Sequence, residues 1–324
     1  MTSHCDGEVW GLDVVDIGGG ELRMITSGDD NRILTYNLKT HQALAEGKIS
    51  EPPKKKPKAG YKGGASSMSS QPPNCQSRCV AYNHTLKHLA VSDNEGLVYI
   101  RNIDWAKIDA REKGSLDDNK KTLCKDVKKR EWIETMVFSP DNKYLAVGSH
   151  DNFIYVFDTN KYDEKKATKK WKLTGHSSFI TALDWSQDGK FIRSVCGAYE
   201  LLFFNMSGKD GPKRDPSGAS NTVETIWANQ TCKLGWSVQG IFPSGCDGSH
   251  INSVAMTKDQ KLIASGDDYG LVCLYRNPLL EGHESRKYRG HSEHVTTVVF
   301  SPDNQYLLSA GGQDQTCIQW KMKK

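Results

Sequence analysis

The segment Gly290 to Trp320, GHSEHVTTVVFSPDNQYLLSAGGQDQTCIQW, constrains the fold more than any other stretch of the chain. It opens on Gly-His. Val295 to Phe300 reads as a strand, Ser301-Pro302-Asp303-Asn304 as a tight turn, and Tyr306 to Ala310 as a second strand. A short turn, Gly311 to Gln315, leads into a third strand that ends on Trp320. Proline at the second turn position presets the backbone for a type I turn, and asparagine tolerates the bend that closes it. Two strands so joined form an antiparallel hairpin, and the third makes a sheet with one buried face.

The pattern recurs. VFSPDNKYLAVGSHDNFIYVF, Val137 to Phe157, is nearly a copy. LDWSQDGKFIRSV begins at Leu183, VAMTKDQKLIASGDD at Val254 and VAYNHTLKHLAVSDNEG at Val80, while the loosest copy, LDVVDIGGGELRMITSGDD, begins at Leu12. A lone four-stranded sheet cannot bury both faces, so such units stack around an axis. Four strands per ~40–45 residues is the WD40 pattern. The sequence therefore predicts an all-β WD40 β-propeller of about seven blades, six regular and one irregular, forming one domain over residues 1–324.

The spacing of the third strands places the departures from regularity. Their marker positions are Tyr36, Arg101, Phe157, Phe204, Leu274 and Trp320. The first gap is too long by about half a blade, and the surplus is EPPKKKPKAGYKGGASSMSSQPPN, residues 51–74. Its prolines, lysines and Gly/Ser run cannot bury a core, which predicts a disordered insert following an outer strand Gln42 to Ile49. The gap from Phe204 to Leu274 is too long for one repeat and short for two. Its middle carries Trp227, Leu234, Trp236, Val238, Ile241 and Phe242, too apolar for a free loop, which predicts an irregular blade over Glu224 to Phe242.

Charge is local. Lys54, Lys55, Lys56, Lys58 and Lys62 against Glu51 give the insert +4, which equals the charge of the whole chain, so the remainder is neutral. A neutral ring argues against nucleic-acid recognition by the propeller itself. No apolar run approaches the ~20 residues a membrane helix needs. The first ten residues, MTSHCDGEVW, do not read as a signal segment. Nine scattered cysteines fit a reducing cytoplasm better than a disulfide framework. Of these only Cys75 and Cys79 are close in sequence, a weak zinc spacing without a second pair, so no metal or cofactor is expected.

Four stretches are similar to a known family. GHSSFITALDW from Gly175, ETIWANQTCKLGWSVQGIFPSGCDGSHINSVA from Glu224, GDDYGLVCLY from Gly266 and the closing repeat look like the C-terminal propeller of the echinoderm microtubule-associated protein-like family. The irregular segment is the most specific of these. The family's GDYE turn reads Gly197-Ala198-Tyr199-Glu200 in this chain. The resemblance implies the C-terminal half of a tandem propeller protein associated with microtubules. The expected location is then the cytoplasm and cytoskeleton, including a ciliary or flagellar axoneme. The alternative is a general WD40 interaction scaffold or substrate adaptor that does not bind tubulin.

Catalytic motifs are missing from the sequence: there is no nucleophile elbow, phosphate-binding glycine loop or dinucleotide fingerprint, and no enzyme is expected. The Gly-His pairs read instead as structural. In a WD40 blade a histidine, a strand hydroxyl, a turn aspartate and a tryptophan tie strands together. His4, Thr26 and Asp30 fit this with Tyr36 in the tryptophan place. His291, Asp314 and Trp320 fit it with Ala310 lacking the hydroxyl. His176 and Ser194 face Ala198, which removes the acceptor and predicts the weakest bonding there.

The lysine insert reads as a solvated linker, as an electrostatic arm toward an acidic surface such as tubulin, or as a basic nuclear-import signal. Lys165, Lys166, Lys213 and Arg214 follow third strands and are the other candidate partner-binding residues. After Trp320 only four residues remain, which predicts an open outer edge on the last blade. An upstream propeller half or another chain would fill it.

Overall fold

The computed structural model describes residues 4–49, 75–112, 116, 121–123, 131–161, 170–242 and 250–323. Blade one comprises β1 (Val9–Asp16), β2 (Leu22–Gly28), β3 (Arg32–Asn37) and β4 (Gln42–Lys48). Blade two comprises β5 (Val80–Asn83), β6 (His88–Ser92), β7 (Val98–Asn102) and β8 (Lys121–Leu123). Blade three holds β9 (Ile133–Phe138), β10 (Tyr144–Ser149), β11 (Ile154–Asp158) and β12 (Trp171–Leu173). Blade four holds β13 (Ile180–Trp185), β14 (Phe191–Cys196), β15 (Leu201–Asn205) and β16 (Lys213–Arg214). Blade five has β17 (Ile251–Met256), β18 (Leu262–Asp267), β19 (Leu271–Arg276) and β20 (Arg286–Arg289). Blade six has β21 (Val295–Phe300), β22 (Tyr306–Gly311) and β23 (Cys317–Lys321). Within each sheet successive strands pair antiparallel.

The predicted turns form as read. Asn304 closes the turn of blade six with its N–H on the Ser301 carbonyl, 2.9 Å, at φ +56°, and Asn142 does the same in blade three. The second strand of a blade is covered by neighbours on both faces, so β2 is buried at every residue, whereas the perimeter strand β20 is exposed at every residue.

Apolar clusters fill the gaps between neighbours. Ile25, Ile33 and Val15 meet Leu89 and Val91 between blades one and two. Ala90 and Ile100 meet Leu145 and Val147 between blades two and three, and Ala146 and Val156 meet Leu183 and Trp185 between blades three and four. Ala264 and Val272 meet Val298 and Leu307 between blades five and six. Blade six closes on blade one through Leu308 and Ala310 against Val9 and Leu12, with Thr296 Oγ1 donating to the Val9 carbonyl at 2.6 Å.

The expected seventh blade is not a sheet. Among the described residues the ring has six sheets, and Glu224 to Phe242 forms a wedge between blades four and five. One isolated bridge joins Trp227 to Ser186, and Trp236–Ile241 is a 3-10 helix. Cys232 packs on Ala182 and Val195 of blade four. Val238 and Ile241 pack on Ile251, Val254 and Ile263 of blade five. The apolar residues therefore make the contacts of a blade without its ladder. Trp227 packs on Phe203, with ring centroids 6.2 Å apart, while Trp236 is 57% exposed.

The ladder is replaced by side-chain hydrogen bonds that converge on Asp184, which is fully buried. Its carboxylate accepts from Arg193 Nε at 2.9 Å, Asn229 Nδ2 at 2.7 Å, Thr231 N at 2.6 Å and Cys232 N at 3.2 Å. Arg193 also donates to Gln230 Oε1 at 2.6 Å and lies 4.2 Å from the Trp227 ring. Asn229 returns a main-chain bond by accepting from Trp185 N at 3.1 Å.

One marker position shifts and one holds. The register pairs Ser265 with Cys273 and Ile263 with Tyr275, so Tyr275, not Leu274, stands in the tryptophan place of blade five. In blade two Arg101 fills that place fully buried, and its guanidinium donates to the carbonyls of Leu116, Lys48 and Ile49. The predicted insert at 51–74 lies outside the described residues.

Removing one partner of a buried ion pair leaves the other charge uncompensated, at a cost of ~3–5 kcal/mol. Asp184→Ala is therefore expected to lower the unfolding free energy by about that amount in a urea titration. A change within ~0.5 kcal/mol, the range of ordinary surface substitutions, would mean the wedge is held by its apolar contacts alone.

Candidate partner-binding site at the channel mouth

The inner strands surround a channel with a cavity of about 970 Å³. Its entrance is shaped by a repeated irregularity. In β1 the pairing passes from Val9–Gly28 to Gly11–Ser27, leaving Trp10 as an extra residue. The same slip frees Glu134 in β9, Thr181 in β13, Asn252 in β17 and Thr296 in β21. A bulge bends the strand and re-aims the extra side chain. All five extra residues line the channel.

These and the residues just before the inner strands form a belt of rings. The Arg78 guanidinium sits 3.7 Å from the Trp10 ring centroid and 4.6 Å from that of Trp132. Trp10 neighbours His294 at 6.0 Å, Trp132 neighbours His150 at 6.4 Å, and His150 stacks on Phe179 at 4.5 Å. The belt thus links blade six, through blades one, two and three, to blade four. A cation over an aromatic face contributes about 0.5–2 kcal/mol, more as water is excluded. His150 Nε2 also lies 3.1 Å from Glu134 Oε2.

Lys233 enters the channel from the wedge. Burial pushes its pKa down, opposed by the charges of Glu134 and Asp268. It makes no hydrogen bond or ion pair among the described residues. Phe179, Tyr199 and Tyr269 are exposed large apolar side chains of the blade-four and blade-five turns. The mouth can hold an extended protein segment, with ring faces to stack on and two cations to meet carboxylates. Sequence reading missed it because a bulge leaves no periodic signal, although the recurrence of Trp or His before an inner strand was visible at Trp132, His250 and His294.

In blade one the structure brings His4, Thr26 and Asp30 together. His4 Nδ1 lies 2.8 Å from Asp30 Oδ1 and Nε2 lies 2.9 Å from Thr26 Oγ1. Burial works to raise the Asp30 carboxyl, but the hydrogen bond and charge of His4 outweigh it and hold the pKa below its usual value. In blade six the set is complete, because Ser309 and not Ala310 supplies the hydroxyl. His291 Nδ1 meets Asp314 Oδ2 at 3.0 Å and Nε2 meets Ser309 Oγ at 2.7 Å, while Trp320 Nε1 donates to Ser309 Oγ at 2.9 Å. In blade four His176 keeps its Ser194 bond at 2.6 Å, and its Nδ1 has no hydrogen-bond partner. Burial pushes His176 down, against the upward pull of Glu200.

Of the basic candidates, Lys54, Lys55, Lys56, Lys58, Lys62, Lys165 and Lys166 lie outside the described residues. Lys213 and Arg214 form β16 on the perimeter of blade four, away from the mouth, and Lys213 pairs with Asp210 at 3.1 Å with both side chains largely exposed.

Residues 9–322 match the model of the echinoderm microtubule-associated protein second beta-propeller. The chain belongs to this family. Among its relatives, the ciliary WD repeat-containing protein ctxp80 of Euplotoides octocarinatus is 46% identical over 100% of this chain and 41% of its own length. Echinoderm microtubule-associated protein-like 2 of Rattus norvegicus is 42% identical over 59% of this chain and 29% of its own length. The chain thus spans less than half the length of either relative. A chain from the crystal structure of a mitotic checkpoint complex superposes with a TM-score of 0.63 at 15% identity, covering 97% of this chain and 90% of that one, which reflects the shared fold. No helix among the described residues is long and apolar enough to cross a membrane.

One ionisable group in the channel wall gives this propeller a pH signature. Removal from water raises the Asp13 carboxyl to about 7, against the lowering effect of hydrogen bonds from Val14 N and Tyr82 N. The folded state then binds a proton that the unfolded state has already released above pH ~4, so this contribution to stability falls as pH rises from ~4 to ~7. The thermal midpoint of Asp13→Asn is expected to lose that slope, and an unchanged slope would place its origin elsewhere.

Proposed function

We propose that this chain is a non-enzymatic module that places its parent protein on microtubules, in the cytoplasm or in a cilium or flagellum. The observation that carries the reading is the match of residues 9–322 to the second propeller of a microtubule-associated family. The similarity to a protein named as ciliary, over the whole chain at 46% identity, supports the axonemal location. In this reading the chain is the second of two propellers, and tubulin is the partner. Contact has two parts. A shape-specific face of the ring supplies one, and the channel mouth, with its rings and two cations, is suited to a protrusion from the partner. The lysines at 54–62 supply the other through the acidic tubulin surface.

Exposed charge contacts are screened over ~8 Å at physiological salt, so the lysine share fades first as salt rises. The full-length protein is expected to co-sediment with microtubules at low salt. Replacing Lys54, Lys55, Lys56 and Lys58 with Gln is expected to weaken pelleting chiefly below ~0.1 M salt. Failure of the full-length protein to pellet at low salt would reject the microtubule reading and leave a general interaction scaffold, for which the channel mouth would be the binding site.

A second contact follows from blade six. Among the described residues β23 has no outer partner, and an unpaired edge templates a further strand. A segment of the preceding propeller, or another chain, is proposed to complete it. Residues 1–324 alone are expected to self-associate with concentration in sedimentation velocity. A strictly monomeric chain would remove this partner.

A further inference from the structure

Blade four departs from blades one and six at two positions that act on one atom. In the two complete sets an aspartate, Asp30 or Asp314, precedes the turn residue of positive φ, Asn31 or Gln315. In blade four that turn residue is Tyr199, φ +59°, and Ala198 precedes it. The last residue of the second strand is Gly28 in blade one and Gly311 in blade six, but Cys196 in blade four. In blade six the glycine is required by the acid. A Cβ on Gly311 would fall 2.0 Å from Asp314 Oδ1 and 2.5 Å from His291 Nδ1, whereas one on Gly28 would meet first the Glu8 carbonyl at 2.5 Å and then His4 Nδ1 at 3.2 Å. Measured against blade six, loss of the acid removes the atoms that a side chain at this position would meet.

Glu200, two residues past Ala198, turns back into the space. Its Oε2 accepts from Ser177 N at 2.8 Å, the role Asp314 Oδ2 plays toward Ser292 N at 3.2 Å. The same Oε2 lies 3.3 Å from Cys196 Sγ and 3.6 Å from His176 Nδ1. The last distance is beyond a hydrogen bond. The His176 side chain is 1% exposed, so a buried ring nitrogen faces a thiol and a carboxylate without bonding to either. All three atoms lie within 4.8 Å of one another.

We infer that His176 Nδ1, Cys196 Sγ and Glu200 Oε2 form a three-ligand site for a divalent cation of the zinc class. Zinc bonds of ~2.0–2.1 Å to nitrogen, ~2.3 Å to sulfur and ~2.0–2.2 Å to oxygen, set at tetrahedral angles, separate the ligand atoms by roughly 3.3–3.6 Å. The two distances to Glu200 already have that length. One nitrogen, one sulfur and one oxygen suit a borderline-soft ion and not calcium or magnesium, which need shells of oxygen. Glu200, with 36% of its side chain exposed, gives the entry path and leaves the fourth position to water. On binding, the Cys196 thiol gives its proton to solvent and the thiolate ligates the metal. Tyr199 lies between Ala198 and Glu200 in the turn and borders the channel with Phe179 and Cys196, so an occupied site would fix that side of the mouth.

The test uses the intact chain, stripped with chelator and titrated with Co²⁺ and then Zn²⁺. One cobalt per chain is expected, with visible absorption of tetrahedral intensity and a near-ultraviolet thiolate-to-cobalt band, both displaced by zinc. Cys196→Ser is expected to abolish the thiolate band and weaken binding at least ~10-fold, the low end of what loss of an outer-sphere partner costs. The double variant Ala198→Asp with Cys196→Gly rebuilds the blade-one pattern, so it is expected to fold with an unchanged thermal midpoint in chelator and to bind no cobalt. Cys75→Ser with Cys79→Ser is expected to bind as the parent does. No stoichiometric metal in the parent, or binding that follows Cys75 and Cys79 instead of Cys196, overturns the assignment. Neither result bears on microtubule binding.

Discussion

A buried carboxylate organises the segment that fills the gap between blades four and five without a sheet. Asp184 and Arg193 face each other at 2.9 Å with almost no exposure of either side chain. Two buried charges are tolerated only when paired and hydrogen-bonded. The bonds that satisfy Asp184 come from Asn229, Thr231 and Cys232, so ordering the pair also orders the wedge. Once held, the wedge presents Cys232 to blade four and Val238 and Ile241 to blade five. Without it the inner faces of those two blades would open to water. Polar bonds cross other junctions too, as Arg101 and Thr296 show, but here a buried ion pair anchors the segment that fills the gap.

The same geometry sets what the channel offers. Bulges in five inner strands turn Trp10, Glu134, Thr181, Asn252 and Thr296 toward the axis, and Arg78 joins two tryptophans from blades one and three. Each contact in the belt crosses a blade boundary or stays at the top of one inner strand. The mouth is consequently a property of the assembled ring. Lys233 adds a cation that comes from the wedge, so the segment that closes the ring also supplies part of its binding surface.

The histidine sets show how one framework is re-used with different consequences. Blades one and six hold the imidazole from both nitrogens, and in blade six a glycine makes room for the acid. Blade four keeps the serine, drops the acid and replaces the glycine with a thiol. The backbone barely registers the change, because Glu200 takes over the main-chain bond to Ser177. What changes is the chemistry left at His176 Nδ1.

Several features were legible from residues alone. Strand–turn–strand periodicity is a local property, and Val295–Phe300 and the turn closed at Asn304 stand where the sequence puts them. The resemblance to the family was most specific in the irregular segment, and the family's model matches residues 9–322. What the sequence could not decide depended on register and on distant partners. Tyr275 and Leu274 alternate faces, so a one-residue shift in pairing chooses between them. Ser309 and Ala310 differ in the same way, and only Ser309 points at His291. The apolar middle of Glu224 to Phe242 announced burial, but whether it would be buried as a ladder or as a wedge rested on Asp184 and Arg193, some forty residues upstream. Hydrophobic pattern is written residue by residue; the pairing of buried charges and the re-aiming of bulged side chains exist only once the blades have met.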